Sequence, residues 1–146
     1  GRFGVMTAGL ETVYIDEFTL YDPVLNTEID AAGNRNFTNF ARSLPQWRTS
    51  VRAGWMNGPW SVNAQARYIS PYDDDENAGA EIDSWTAYDL QAGWTSNVRG
   101  HALTASVGAL NLFDEEAPLV NTPLGYDTKV HDARGRVLYA RISVQR

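Results

Sequence analysis

The sequence predicts an all-β fold: an antiparallel up-and-down meander of about six long strands, an arc of a transmembrane β-barrel. Three observations lead there. Apolar and polar residues alternate with period two through most of the chain, and no helical period competes with it. The connections between alternating stretches run long, short, long, short, long. Large amphipathic rings collect at the ends of those stretches, while Ala, Val, Leu and Thr fill their centres.

The first predicted strand spans roughly Arg2–Phe18, with Met6, Ala8, Leu10, Thr12 and Tyr14 on one face. Its other face is less regular, mixing Phe3, Val5 and Val13 with Glu11. Leu20–Ser43 is polar, carries Pro23 and Gly33, and has no helical period, so it is expected to be a loop. The second strand, Leu44–Met56, sets Trp47, Thr49, Val51, Ala53 and Trp55 against Arg48, Ser50, Arg52 and Gly54. Asn57-Gly58-Pro59 then signals a tight hairpin, because Gly supplies the positive φ that such turns require. The third strand, Trp60–Ile69, sets Trp60, Val62, Ala64, Ala66 and Tyr68 against Ser61, Asn63, Gln65 and Arg67.

Pro71–Asp83 is a second polar loop. The fourth strand, Ser84–Thr95, sets Thr86, Tyr88, Leu90, Ala92 and Trp94 against Asp89, Gln91 and Gly93. A short turn, Ser96–Gly100, leads into the fifth, His101–Asn111, where Leu103, Ala105, Val107 and Ala109 oppose Thr104, Ser106 and Gly108. Leu112–Arg134 is the third long loop. The sixth strand, ending at Arg146, sets Leu138, Ala140, Ile142 and Val144 against Tyr139, Arg141, Ser143 and Gln145.

A meander with alternating long and short connections puts every long loop at one end and every tight turn at the other, as in outer-membrane barrels. Strands of about ten residues are long enough to cross a bilayer when tilted. On the apolar face Trp55, Trp60 and Trp94 stand beside the tight turns, and Trp47, Tyr68 and Tyr88 stand nearer the long loops. These two belts match the aromatic girdles of a lipid-facing wall. The opposite face carries Arg48, Arg52, Arg67, Asp89, Gln91 and Arg141, the candidates for a barrel lumen. A small water-soluble β-barrel that binds a ligand or partner would alternate too, but would bury the large residues and expose the arginines. Because single-chain bacterial barrels start at about eight strands, six imply an arc of a larger barrel or strands supplied by other copies.

The remaining signals exclude more than they assign. Aromatics make up 12% of the 146 residues, including five Trp and seven Tyr, yet mean hydropathy is negative, which fits an apolar band with polar borders. There is no cysteine, hence no disulfide framework and no thiolate zinc site. A net charge of −6 argues against a nucleic-acid partner. No apolar run is long enough for a transmembrane helix, which says nothing about barrel strands. Asp73-Asp74-Asp75-Glu76 lacks the spacing of a calcium loop and is expected to be a solvated acidic segment, as is Asp114-Glu115-Glu116. His101 and His131 fall at opposite ends of the strand layout, and no serine has a nucleophile-elbow context. The expectation is no enzyme, no catalytic residue, no metal and no cofactor. The start at Gly1, directly in a strand-like pattern, suggests a piece of a longer polypeptide.

Specific segments carry a family resemblance. Leu44-Pro45-Gln46-Trp47-Arg48, Gly58-Pro59-Trp60-Ser61 with Arg67-Tyr68-Ile69, and Ile82-Asp83-Ser84-Trp85-Thr86 with Tyr88-Asp89-Leu90-Gln91 follow in order. Asn111-Leu112-Phe113-Asp114, Gly125-Tyr126-Asp127, and Asp132 with Gly135-Arg136 complete the pattern. Together they resemble the C-terminal barrel segment of TonB-dependent outer-membrane receptors, over nearly the whole chain. The resemblance implies a barrel of 22 strands with a plugged lumen, of which these would be the last. It implies the outer membrane of a Gram-negative bacterium, a lipid bilayer around the wall, a small-molecule nutrient as cargo, and the TonB complex reached through a plug not contained in this chain. The family usually ends in an aromatic residue, whereas this sequence ends in Arg146. The arginines are expected to pair with carboxylates such as Asp89 and with the plug, or to contact an anionic substrate.

Overall fold

The computed structural model describes residues 3–77 and 79–145. It is all-β, with no helix among the described residues. Ten strands follow in order: β1 Val5–Tyr14, β2 Thr19–Asp22, β3 Thr27–Asp30, β4 Trp47–Asn57, β5 Trp60–Ile69, β6 Tyr72–Asp74, β7 Ala80–Ile82, β8 Trp85–Val98, β9 His101–Leu110 and β10 Val137–Gln145. Six of them form one antiparallel sheet in the order β1-β4-β5-β8-β9-β10. Sequence neighbours among the long strands are therefore spatial neighbours, as a meander requires. The sheet is an open arc: among the described residues β1 and β10 each pair on one side only.

Register keeps the alternation coherent across all six strands. Met6, Ala8 and Leu10 face Trp55, Ala53 and Val51, which continue to Val62, Ala64 and Ala66. The row passes to Ala92, Leu90 and Tyr88, then through Val107 and Ala109 to Ala140 and Leu138. A slip of one residue at any strand pair would throw its apolar set onto the opposite face. Among the described residues nothing covers the apolar face: Met6 is 77% exposed, Leu10 70%, Val107 59% and Ile142 75%. A row of that extent marks a surface that meets something apolar.

The strand limits differ from expectation at the ends. The first strand stops at Tyr14 because Ile15 and the residues after it enter the first long loop; the expectation at Arg2 lies outside the described residues, as does that at Arg146. The fourth runs on to Val98, which shortens its turn to Arg99 and Gly100, both at positive φ of 54° and 84°. Leu20–Ser43 and Pro71–Asp83 are not structureless. Each carries a small hairpin, β2–β3 and β6–β7, with strands too short to register as a period-two pattern.

The small core sits among the loops rather than in the sheet. Tyr72, Ile82 and Val120 are buried together, with Val130 against them. Tyr72 and Ile82 come from the β6–β7 hairpin, and Val120 and Val130 from the β9–β10 loop.

Candidate functional site

The polar face and the loops capping one end of it hold most of the chain's polar chemistry. Arg48 and Arg52 flank Ser50 on β4, and Ser50 is the register partner of Arg67 on β5. Gln65 faces Asp89, and Asn63 faces Gln91, on β8. Arg141 lies opposite Ser106 on β10, on the same face. Arg67 donates to Asp89 Oδ1 at 3.1 Å, and the backbone N–H of Asn111 donates to the same oxygen at 2.9 Å. Arg52 approaches Glu11 at 3.5 Å with both groups exposed, a contact of little energetic weight. Tyr139 lies across Gly108 and donates to Gln91 Oε1 at 3.3 Å. Among the described residues Arg48 and Arg141 have no carboxylate within ion-pair distance.

The aromatic residues share the other face. Trp60 is the register partner of Trp94, and Trp55 faces Val62 beside them. At the loop end, Tyr68 lies between Thr49 and Thr86, and Tyr88 faces Ala66. The sequence pattern missed two ring pairs there. Tyr14 packs on Trp47 with centroids 4.5 Å apart, and Phe113 meets Tyr88 edge-on at 5.4 Å. Tyr14 had the right parity to be noticed. Phe113 lies beyond its strand, where alternation gives no direction.

Asn111-Leu112-Phe113-Asp114 builds a clasp between β9 and β10. Asn111 takes a positive φ of 50°, which its short amide side chain tolerates, and ends the strand. Its side chain donates to Glu115 O at 2.8 Å and accepts the Glu115 N–H at 2.9 Å. Asp114 Oδ1 accepts the backbone N–H of Arg136 at 2.6 Å, tethering the entry to β10. Asp114 is thus exposed but structurally engaged, not simply solvated.

The acidic run of the second loop departs further from expectation. Asp74 is buried and accepts from Arg35 at 2.7 Å, and Arg35 also reaches Glu76 at 2.9 Å. Asp75 accepts the backbone N–H groups of Phe37 and Thr38 and the Thr38 hydroxyl. The run ties the first loop to the second. Burial pushes the Asp74 and Asp75 carboxyls up. The opposing hydrogen bonds, from Asn77 and Arg35 to Asp74 and from Thr38 and Phe37 to Asp75, outweigh it and hold both below the ordinary carboxylate range. Burial likewise favours loss of the Arg35 proton, but Asp74 and Glu76 raise its affinity on balance.

A second lock joins the second loop to the third. Tyr72 donates to Asp127 Oδ2 at 3.0 Å and lies 3.2 Å from His131 Nε2, all three residues being buried. Tyr72 has one proton and gives it to Asp127, so the His131 contact runs from Nε2–H to the Tyr72 oxygen. Burial, then the charge of Asp127, raises Tyr72 well above the ordinary phenol value, and burial lowers His131. Trp85 closes the cluster from the polar face: its ring meets His131 edge-on at 5.9 Å and lies under the Arg67 guanidinium at 5.5 Å. His101 is remote from all of this, at the turn end of β9.

Known families bear on this arrangement in one way. The family model described as TonB dependent receptor-like, beta-barrel, matches residues 5–112. That span runs from β1 through the start of the Asn111 clasp. No curated protein and no solved structure matches the chain. A six-stranded antiparallel arc, an uncovered apolar face, long loops gathered at one end and a family match over most of its length lead to one conclusion: the chain belongs to the TonB-dependent receptor β-barrel family of outer-membrane receptors.

Proposed function

We propose that this chain is the C-terminal part of the barrel of an energised nutrient importer in the outer membrane of a Gram-negative bacterium. In this reading the apolar face meets lipid, with Trp55, Trp60 and Trp94 at one membrane interface and Trp47, Tyr68 and Tyr88 at the other. Arg48, Arg52, Arg67, Asp89, Gln91 and Arg141 face the lumen, and the locked loops form part of the outer mouth. The cargo is a scarce nutrient such as a siderophore, vitamin or saccharide. Coupling to TonB runs through a plug that this chain does not contain.

The observation that carries the reading is the uncovered apolar face, continuous in register over all six strands and bounded by indole and phenol rings. A soluble ligand-binding barrel would bury such a face, whereas Met6, Leu10, Val107 and Ile142 are here among the exposed large hydrophobic residues. The two open edges favour the same reading, since lipid does not tolerate unpaired strand edges and a full barrel would pair them.

The test is fractionation with peptide mass spectrometry. Peptides from β4 to β9 are expected in isolated outer membranes, from a polypeptide several times larger than 16.2 kDa. Recovery from the soluble fraction as a species of 16.2 kDa would overturn the proposal.

A further inference from the structure

We propose that Tyr72, Asp127 and His131 form an acid-released latch between the second and third long loops, shut while His131 is neutral. The third loop prepares its half locally. The backbone N–H groups of Val130 and His131 both donate to the Asp127 carbonyl, at 3.3 and 3.0 Å, and Asp127 Oδ1 accepts the Lys129 N–H at 2.9 Å. A single turn of this kind brings side chains four residues apart to one side, here Asp127 and His131. Tyr72 of β6 meets both: it gives its proton to Asp127 Oδ2 at 3.0 Å and accepts from His131 Nε2 at 3.2 Å. The Tyr72 and His131 rings are nearly parallel, with planes 16° apart and centroids at 6.1 Å.

A neutral imidazole carries one N–H, and Tyr72 takes it, so Nδ1 presents a bare lone pair. That atom is buried with no partner among the described residues. A second proton would land there without an acceptor, which disfavours the cation. The titratable and charged groups facing His131 are Tyr72 from β6, Asp127 from its own loop and Arg48 from β4; β8 presents the uncharged Trp85 ring. Burial opposes the cation and Asp127 favours it; burial, joined by the charge of Arg48, prevails. His131 is thus held below the ordinary histidine value of about 6.5. The stability it contributes is fully present above that value and is lost as pH falls through the lower folded one. The second loop then stays joined to the first through Asp74 and Asp75, which titrate in a lower window. The ends of the third loop stay held by the Asn111 contact to Glu115 and the Asp114 contact to Arg136. What comes free is the span between them.

Hydrogen exchange read by mass spectrometry tests this on the full native protein in detergent, at about pH 7.5 and about pH 5.5 and corrected for intrinsic exchange. Protection of residues 120–131 is expected to fall about tenfold at the lower value, about one unit below the ordinary histidine value, while residues 35–43 stay unchanged. Diethyl pyrocarbonate labelling gives a second readout on the unaltered sequence. The rate at His131 relative to exposed His101 should rise by a similar factor, since the ratio cancels the pH dependence that a released His131 shares with His101. His131→Gln keeps an N–H for Tyr72 but does not titrate, so its loop protection should be the same at both values. Unchanged protection in the wild type overturns the proposal, as does a fall that spreads to residues 35–43 or survives in His131→Gln. Where that variant does not fold, the wild-type labelling ratio decides: a rise upholds the latch and a flat ratio overturns it. The latch lies wholly within the loops, so recovery from the soluble fraction would overturn the barrel reading and leave this test as it stands.

Discussion

The loop cap depends on a few buried polar residues, and Arg35 is the most exacting of them. Its guanidinium neutralises Asp74 in a site where Asp74 is only 5% exposed. Removing one member of a buried pair leaves the other charge uncompensated, at a cost of roughly 3–5 kcal/mol. Arg35→Gln is therefore expected to open the cap locally while the sheet stays formed. Hydrogen exchange should quicken in residues 31–43 and 72–82 and stay slow in β4, β5 and β8. The wild type should show the same signature in acid. Asp74 and Asp75 are depressed, so the stability they contribute is fully present above the ordinary carboxylate value, about 4, and is lost as pH falls through their lower folded values. Exchange in those segments that is unchanged by Arg35→Gln would show that the pair does not hold the loops.

At the scale of the element, β10, like β1 at the opposite edge, is attached to the sheet through a single seam among the described residues, here its pairing with β9. Gly108 and Tyr139 meet across it in register. A Cβ at Gly108 would lie 2.5 Å from Tyr139 Cζ, closer than any real contact. The ring lying over Gly108 spans to Gln91 on the next strand but one, so a side chain at position 108 would have to push it aside. Gly108→Val is therefore expected to displace Tyr139 and cost about 1–3 kcal/mol, the usual range for overpacking. Thermal unfolding of the full protein in detergent checks it. Adding Tyr139→Ala to Gly108→Val should recover part of the loss, because the two changes share one contact. Additive losses would mean that the steric argument is wrong. The strands themselves were legible from alternation, since every residue of matching parity falls on one face. The seam was not: parity places Gly108 and Tyr139 on a common face, but which residues stand opposite depends on register.

For the whole molecule, the decisive property is what the apolar face touches. Val107 lies mid-strand in β9, between Ala92 and Ala140. If that face meets lipid, Val107→Arg should cost about 2–4 kcal/mol in vesicle folding equilibria, the range for a cation near the bilayer midplane. Asn63→Arg, at similar depth on the polar face, should cost far less. Equal penalties would remove the distinction between lipid and lumen. The large apolar residues of the six strands are mostly exposed within the chain, so in the proposed reading the arc would gain most of its stability from lipid and from neighbouring strands.

By itself, the sequence determined the strand class, the strand count in the main sheet, the face on which each strand residue stands, and the end at which the long loops gather. These follow from a period of two and from connection lengths, both local properties of the chain. Only the tertiary structure decided how the loops lock. Arg35 and Asp74 are 39 positions apart, and Tyr72 and Asp127 are 55 apart. No local pattern pairs residues at such separations. A run of four acidic residues reads as solvated until a distant arginine is brought against it. The same holds for the arginines of the polar face: alternation aligned Arg48, Arg52 and Arg67, but only their placement in space showed which found a carboxylate and which did not.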